Sequence, residues 1–364
     1  MSYLIRSTLL FSLFILSSIP LTAKDDLASK NTSTDELHRF IQQRADNDQF
    51  SGAVLLANKE EVLYQSAFGL ASKRYLIPNN VQTKFNLASM NKMFTAVAIM
   101  QLIEKGKLTL TSSLVEFIDE SWLPKEVSEK IEIQHLLSHT SGLGSYFNKS
   151  FIHSARERYR TLNDYRNLVQ NETLRFKPGT DYHYSNTGML MLGIVIEKIS
   201  NKDYDTYIKE NIYDRAGMLN TGSYDMDQPV PNLAMGYLPA NNHTGWKNNL
   251  FMHVIKGGPA GGGFSTIEDL HRFAVALTTY KLLGKEATEQ LYSAKPKLNS
   301  KKYGYGFRIK NNDENRIVGH DGAFPGIDSN LDIHLDNGYI SVVLSNYGRT
   351  SKPIIEKINE LIYL

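Results

Sequence analysis

The stretch NLASMNK at residues 86–92, which runs directly into an apolar segment at residues 93–103, decides how this chain folds. Only two clearly polar side chains interrupt that segment. A helix that is apolar on nearly all sides belongs inside a core, and Gly106 supplies a typical stop after its last turn. We therefore predict a buried helix, with Ser89 at its first turn and Lys92 three residues further on the same face.

The spacing of Ser89 and Lys92 has a chemical meaning. A serine hydroxyl becomes a good nucleophile only when a neighbouring base accepts its proton. A lysine can be that base if burial and the positive end of a helix lower its pKa. Serine and lysine are common residues, however, and four residues of this kind more often represent an N-cap serine followed by a solvated lysine. The rest of the chain has to distinguish the two interpretations.

Composition excludes several classes of protein. The 364 residues are enough for one large domain or for two that share a core. The formal net charge of +2, with acids and bases well mixed, does not indicate a nucleic-acid partner. The cysteine count is zero, which excludes disulfides, a cysteine nucleophile and thiolate metal sites.

The N-terminus has the layout of a secretory signal. Arg6 precedes an apolar stretch at residues 9–21, and the small residue Ala23 follows just before a charged segment. The stretch is short for a membrane span, and an uncleaved anchor is the alternative. We predict a signal peptide at residues 1–23 and a periplasmic or secreted hydrolase domain at residues 24–364, with no stable membrane span after cleavage.

Strand-like segments lie at both ends of the chain and helical segments lie between them. The predicted strands are 53–56, 62–68, 303–309, 316–320, 329–335 and 339–345, with a hairpin turn at residues 336–338. The predicted helices are 34–45, 131–137, 159–169, 187–199, 204–215, 267–278 and 353–364, and residues 225–251 are predicted to form a long surface loop. The simplest assembly is an α/β (α+β) fold. Its antiparallel sheet comes from about residues 50–90 and 260–364, with flanking helices and an inserted, mainly helical region at about 91–259.

Two further motifs carry side chains suited to the same chemistry. Tyr184-Ser185-Asn186 follows a Pro-Gly turn, and His320-Asp321-Gly322 ends a predicted strand. With residues 89–92 and the run HLLSHTSGL at 135–143, they occur in an order that resembles the class C β-lactamase family and its relatives. Those relatives are the serine D,D-peptidases, D-aminopeptidases and family esterases. The resemblance covers about residues 50–347 and implies a serine β-lactamase/D,D-peptidase-like fold.

The resemblance implies three catalytic residues. Ser89 would attack the substrate carbonyl and form an acyl-enzyme. Lys92 would organise the proton network around it. Tyr184, as a phenolate or as a hydrogen-bond relay, would share the role of base and protonate the leaving group, with its pKa lowered by the Lys92 ammonium.

The resemblance also implies which residues contact the substrate. Asn186 would hydrogen-bond the substrate amide, and the backbone N–H groups of Ser89 and Ala323 would form an oxyanion hole. The other expected substrate-binding residues are Tyr146, His320, Asp321 and Gly322.

The third motif departs from that of class C β-lactamases, which have Lys-Thr-Gly where this chain has His320, Asp321 and Gly322. If the Asp321 side chain faces the site, its charge repels a substrate carboxylate by about 1 to 4 kcal/mol. That predicts poor turnover of β-lactams. The alternative is that Asp321 points away and pairs with a nearby lysine or a backbone N–H.

Neither a metal nor a cofactor is expected. His135 and His139 have the i, i+4 spacing of metal ligands, but the glutamate of a zinc protease is missing between them, and the family resembled needs no metal. The expected partner is a small-molecule or peptide substrate, with cell-wall fragments among the candidates, and no nucleic acid. The oligomeric state stays open.

These observations together predict an exported serine hydrolase. It would act through a Ser89 acyl-enzyme on a peptide, amide or ester of the D-amino-acid type. The alternatives are a plain carboxylesterase, a β-lactamase proper, and a non-catalytic penicillin-binding-like envelope protein.

Overall fold

A computed structural model describes residues 21–240, 245–311 and 315–363, with only the backbone described for residues 21–32. The predicted signal peptide therefore lies outside the described residues, apart from the backbone of its last three residues, which begin the first helix. Among the described residues, no helix is long and apolar enough to cross a membrane.

Twelve strands lie in the described ranges. Six of them form the main sheet, and the other six form small two-stranded pairs. The strands are β1 Gly52–Ala57, β2 Val62–Phe68, β3 Leu70–Ser72, β4 Ile77–Pro78, β5 Phe85–Asn86, β6 Tyr237–Pro239, β7 Trp246–Asn248, β8 Phe264–Ser265, β9 Arg308–Ile309, β10 Ile317–Phe324, β11 Ile327–His334 and β12 Ile340–Ser345.

The main sheet joins the two ends of the chain. Its order is β2-β1-β12-β11-β10-β9, and every neighbouring pair is antiparallel. The pairing of β1 with β12 sets Gly52 opposite Ser345 and Ala57 opposite Ile340. The prediction of one antiparallel sheet built from both ends of the chain, with helices around it, is confirmed.

The α-helices of the described ranges are mostly short between the two strand-rich ends. They are α1 Leu21–Asp46, α2 Asn91–Glu104, α3 Lys125–Ser128, α4 Ile133–Leu137, α5 Lys149–Ile152, α6 Arg166–Val169, α7 Asn186–Ser200, α8 Tyr204–Ile208, α9 Asp214–Ala216, α10 Ile267–Thr278, α11 Lys285–Tyr292 and α12 Lys352–Tyr363. A π-helical turn at Lys209–Tyr213 joins α8 to α9.

Both faces of the sheet are covered, which explains why β1 is apolar at every position rather than at alternate positions, and why β11 and β12 are buried along their whole length. In β1, the side chains of Ala53 and Leu55 face the larger core, which includes α2, α7 and α10. The alternate side chains, including Val54, face a smaller core formed with α1 and α12. The α2 helix therefore lies within the larger core, where every residue from Asn91 to Leu102 is buried.

Several predicted elements differ from the structure in an informative way. The helix predicted at 159–169 is reduced to one 3-10 turn at Leu162–Tyr165, which Thr161 caps, followed by the four-residue α6. The loop predicted at 225–251 contains the short hairpin of β6 and β7. The first helix begins well before residue 34, where the sequence predicted its start.

Candidate active site

The chain approaches Ser89 through a sharp turn. After β5, Ala88 adopts a positive φ of 44°, which is unfavourable for a residue with a Cβ. A 3-10 turn at Ala88–Met90 then leads into α2. The turn leaves Ser89 half-buried at the surface of the core, while the helix that follows is buried from Asn91 to Leu102.

Lys92 lies directly beneath Ser89. Its Nζ is 3.1 Å from the Ser89 Oγ, and it also donates to the backbone carbonyl of Ala260. The lysine is completely shielded from solvent. Burial and the nearby positive charge of Arg308 lower the pKa of Lys92 well below its ordinary value, against the opposing effect of Asp321. A lysine in this environment loses its proton readily and can accept one from the serine.

A glycine-rich loop at residues 257–263 holds the Ala260 carbonyl in place. Gly262 N donates to the Ala88 carbonyl at 3.0 Å, so the loop is tied to the turn that carries Ser89. The hydroxyl of Thr95 donates to the carbonyl of Pro259 at 2.9 Å from the next turn of α2. A Cβ on Gly261 would lie 3.0 Å from the Ala88 oxygen, which explains the absence of a side chain there.

Tyr184 covers the other side of Lys92. The Nζ of Lys92 is 4.7 Å from the centre of the Tyr184 ring. The Tyr184 hydroxyl is buried and lies near Ser89 without a well-directed hydrogen bond to any described residue. Burial raises the pKa of Tyr184 above its ordinary value, although Ser89 and Arg308 act in the opposite direction. The expectation that the Lys92 ammonium lowers this pKa is therefore wrong, because the cost of burying a phenolate is larger.

The start of α7 holds Asn186 at the cleft. Ser185 caps this helix by accepting from Gly188 N at 2.8 Å, and its hydroxyl donates to the Gly144 carbonyl at 2.8 Å. The Nδ2 of Asn186 donates to Ser145 Oγ at 3.1 Å. These bonds fix the loop that carries Tyr146, and both Asn186 and Tyr146 line the cleft.

The strand β10 passes very close to the turn at Ser89. A Cβ on Gly322 would lie 2.0 Å from the Leu87 carbonyl oxygen and 3.1 Å from Ser89 N. Only glycine allows this approach. The next residue, Ala323, lines the cleft together with Ser89, as an oxyanion hole made from their N–H groups requires.

His320 does not face the cleft, contrary to its predicted role as a substrate-binding residue. It is completely buried, and its Nδ1 donates to the carbonyl of Asp321 at 2.5 Å. Its Nε2 then accepts from the Tyr303 hydroxyl at 2.9 Å. Burial, Arg308 and Lys92 hold the pKa of His320 well below its ordinary value. Because both nitrogens of this neutral imidazole already have partners within the protein, the ring stabilises the strand and has no nitrogen left for a substrate.

Asp321 forms an ion pair with Arg308, which lies on the neighbouring strand β9. Both side chains are partly exposed, at 37% for Arg308 and 44% for Asp321. The guanidinium carbon of Arg308 is 5.6 Å from the centre of the Tyr184 ring. Asp321 is therefore paired, as the alternative interpretation expected. The partner is an arginine on an adjacent strand rather than the lysine or backbone N–H of the alternative.

The two histidines with metal-ligand spacing serve separate backbone contacts. The Nδ1 of His135 accepts from Glu132 N at 3.0 Å, and the Nδ1 of His139 accepts from Ser185 N at 3.2 Å. His139 thereby connects the HLLSHTSGL run to the segment that carries Tyr184. Within the described ranges, no group of three potential ligands is close enough to hold a metal ion.

A cleft of about 290 Å³ opens at Ser89. Its lining is dominated by aromatic and aliphatic side chains. Besides Ser89, Tyr146, Tyr184, Asn186 and Ala323, the lining includes Asn86, Phe147, Tyr224, His253, Val254, Ile255, Phe264, Phe324 and Ile327. Among the described residues that line it, none is a lysine, arginine, aspartate or glutamate. Such a cleft suits an uncharged, largely apolar group.

Sequence reasoning missed three groups that this geometry brings to the site. The Ala260 carbonyl could not be identified, because backbone atoms leave no signal in the residue type. Arg308 lies in a predicted strand, but its pairing with Asp321 depends on strand register. His253 follows the predicted long loop, and no motif surrounds it.

Comparison with known proteins agrees with this geometry. The sequence profile of the Beta-lactamase family matches residues 37–359. A penicillin-binding protein of Bacillus subtilis (strain 168) is 30% identical over 333 residues, which cover 87% of this chain and 72% of that protein. The crystal structure of a penicillin-binding protein from Bacillus halodurans is also 30% identical, with a TM-score of 0.80, and the match covers 88% of this chain and 98% of that one.

A more distant structure shares the fold alone. The D-amino acid amidase of Ochrobactrum anthropi SV3 is 21% identical, with a TM-score of 0.74 over 90% of this chain and 99% of that one. The profile match spans most of the chain, and two relatives share 30% of their residues with it. This protein therefore belongs to the Beta-lactamase family and is a serine hydrolase.

Proposed function

We propose that this protein is an exported hydrolase that cleaves a peptide, amide or ester of the D-amino-acid type through an acyl-enzyme on Ser89. The observation that carries the proposal is the 3.1 Å contact between Ser89 Oγ and the fully buried Nζ of Lys92. A nucleophile with a base of lowered pKa at hydrogen-bond distance is the arrangement that acyl transfer needs.

In the proposed first step, Lys92 accepts the hydroxyl proton of Ser89 while Oγ forms a bond to the substrate carbonyl carbon. The charge on the carbonyl oxygen is stabilised by the backbone N–H groups of Ser89 and Ala323. Tyr184, protonated because its pKa is raised, passes a proton to the leaving amine or alcohol and is reprotonated from Lys92. Water then attacks the ester at Ser89 and releases the acid, which restores the hydroxyl.

The substrate class is inferred from the cleft and from the relatives. The uncharged, aromatic lining favours acyl groups that are neutral and apolar. The name of the D-amino acid amidase supports an amide as the bond that is cleaved. The name of the Bacillus relatives supports penicillin as a reagent that acylates the serine. Penicillin hydrolysis is thus the second candidate. The ion pair of Arg308 with Asp321 favours it more than an unpaired aspartate would.

The test is acylation and turnover by the mature protein. A fluorophosphonate probe and penicillin should each add to Ser89, as located by peptide mass spectrometry, and Ser89→Ala should abolish both adducts. Ser121→Ala is the matched control, because that serine lies outside the cleft. A panel of D- and L-amino-acid amides, D-Ala-D-Ala peptides, neutral esters and nitrocefin then ranks the substrates. Labelling of Ser89→Ala at the wild-type rate would disprove the nucleophile.

Export rests on the sequence of the first 23 residues. Secretion from a bacterial host followed by N-terminal sequencing should give a start near residue 24. An intact Met1 in the membrane fraction would support an uncleaved anchor, and an intact Met1 in the soluble extracytoplasmic fraction would contradict the proposal.

A further inference from the structure

His253 lines the same cleft as Ser89 and has no part in the chemistry proposed above. Its Nδ1 lies 3.1 Å from the carbonyl oxygen of Val254. A carbonyl oxygen can only accept a hydrogen bond, so Nδ1 must carry the proton. In the neutral ring, the opposite nitrogen Nε2 then presents a lone pair, which makes it an acceptor.

The Nε2 of His253 is free to bind a ligand. None of the described residues donates a hydrogen bond to it. Unlike the Nε2 atoms of His139 and His334, it is not sealed from solvent inside the protein. Burial lowers the pKa of the His253 ring, although the bond to Val254 opposes this, so the ring is neutral at pH 7 and the lone pair is available.

The surroundings restrict what this acceptor can bind. Tyr224, Phe264 and Phe324 line the cleft together with His253, and no charged side chain of the described residues does so. An acceptor in an apolar wall loses free energy if a ligand displaces its water without replacing the hydrogen bond. A carboxylate at this place would be repelled, because its oxygens and Nε2 are all hydrogen-bond acceptors. A ligand that places a hydrogen-bond donor opposite Nε2 should therefore bind better than one that lacks it.

We propose that His253 determines substrate specificity by accepting a hydrogen bond from an N–H group on the acyl part of the substrate. The substrate class is then an uncharged acyl group with an aromatic or branched apolar body and one N–H donor, as in an N-acylated aromatic amino acid. This inference rests on the proposed function, because it needs the acyl group of the Ser89 intermediate to occupy this cleft.

The experiment compares two esters that differ in one atom. N-acetylphenylalanine p-nitrophenyl ester carries the N–H group, and O-acetyl-3-phenyllactate p-nitrophenyl ester has an oxygen in its place, both in the D configuration. Each kcat/KM is divided by the rate of hydroxide-catalysed hydrolysis of the same ester. We expect the wild type to prefer the N–H ester about five- to tenfold, the value of one hydrogen bond.

Two variants test whether His253 is the acceptor. His253→Phe removes the lone pair and should bring the ratio of the two esters to about one. His253→Gln offers a side-chain carbonyl and an N–H group for Val254, and should keep most of the preference. An equal wild-type rate for both esters, or a preference that survives in His253→Phe, would overturn the proposal.

Fluorophosphonate labelling of Ser89 separates this inference from the proposed function. A wild type that neither labels nor hydrolyses any ester contradicts the proposed function itself. A wild type that labels and turns over both esters without preference contradicts only the role of His253. The labelling rate of each variant also reveals misfolding, because an unfolded chain does not react with the probe.

Discussion

Arg308 and Asp321 form an ion pair across two neighbouring strands, directly beside the ring of Tyr184. The two charges act on Lys92 in opposite directions, since Arg308 lowers the pKa of the lysine and Asp321 raises it. The pair therefore adjusts both the base and the electrostatic potential that a substrate meets.

Neutralising one member of this pair should change both properties in predictable directions. Asp321→Asn leaves the arginine uncompensated, so the midpoint of the pH–rate profile should fall and carboxylate-bearing substrates should improve relative to neutral ones. Arg308→Met should do the opposite in both respects. Since both side chains are partly exposed, the midpoint should move only slightly. The ratio of kcat/KM for carboxylate-bearing and neutral substrates should change only about two- to fivefold.

The double variant is the control for these two changes. Arg308→Met combined with Asp321→Asn should restore a substrate preference close to that of the wild type, measured as the ratio of kcat/KM for matched carboxylate and methyl-ester substrates. Identical pH midpoints in all four proteins would mean that the pair does not act on Lys92.

Lys92 should make the stability of the protein depend on pH. Its folded pKa lies below the ordinary value of 10.5, so between the folded pKa and 10.5 the unfolded chain binds the additional proton. The free energy of unfolding of the wild type should therefore rise with pH relative to Lys92→Met, by at most about 1.4 kcal/mol per pH unit in that window. Urea titrations from pH 7 to pH 10 measure the difference.

The exposed lysine Lys59 supplies the matched variant for this measurement. Lys59→Met corrects for the general effect of deleting one positive charge. If the difference between wild type and Lys92→Met stayed constant or shrank as the pH rose, Lys92 would have to be charged in the folded protein.

Tyr184→Phe separates the two possible roles of the tyrosine. Because the pKa of Tyr184 is raised, we expect a proton relay rather than a phenolate base. Acylation by Tyr184→Phe should fall about 10²- to 10⁴-fold, while the midpoint of its pH profile stays near that of the wild type, since Lys92 sets it. Stopped-flow acylation across pH measures both quantities. A midpoint that moves by a unit or more would assign the titrating base to the tyrosine.

Gly322→Ala should inactivate the enzyme by displacing the turn that carries Ser89. The new Cβ would lie 2.0 Å from the Leu87 oxygen, so the turn or the strand has to move. A shift of about 1 Å at the nucleophile costs about 10²-fold in rate. The fluorophosphonate labelling rate measures the loss directly.

Gly348→Ala is the matched control, because the nearest atom to its added Cβ is 3.5 Å away. It should label at the wild-type rate. A Gly322→Ala enzyme with normal labelling would mean that the strand and the turn adapt without cost.

The sequence predicted the elements that depend on local patterns of apolar residues, and it failed for side chains whose partners lie far away in the chain. The buried helix was predictable because its apolar residues cover all sides, and its observed extent, Asn91–Glu104, agrees with the prediction. The strands were predictable from short runs of strand-forming residues between turn residues, although the strand predicted at 303–309 is reduced to Arg308–Ile309. Its position in that helix favoured a buried Lys92 over the solvated alternative, and the structure shows the lysine buried.

The failures concern groups whose environment is set by distant parts of the chain. His320 was expected at the substrate because the corresponding motif of the resembled family contacts substrate, yet its ring bonds to Tyr303. The pKa of Tyr184 depends on burial, which no motif reveals. The pairing of Asp321 with Arg308 depends on which strand lies next to β10, and register is a property of the finished sheet.

The pairing of β1 with β12 also constrains how the chain can be made. The ribosome releases β1 and the apolar α2 helix long before β12 at Ile340–Ser345, the strand that lies between β1 and β11. Until β12 arrives, the edge of β1 opposite β2 has no partner strand, and the core around α2 cannot close. Contacts between such distant residues form slowly, because a long loop has to be closed first. The nascent chain must therefore stay open, and in need of protection from aggregation, until β12 has been synthesised.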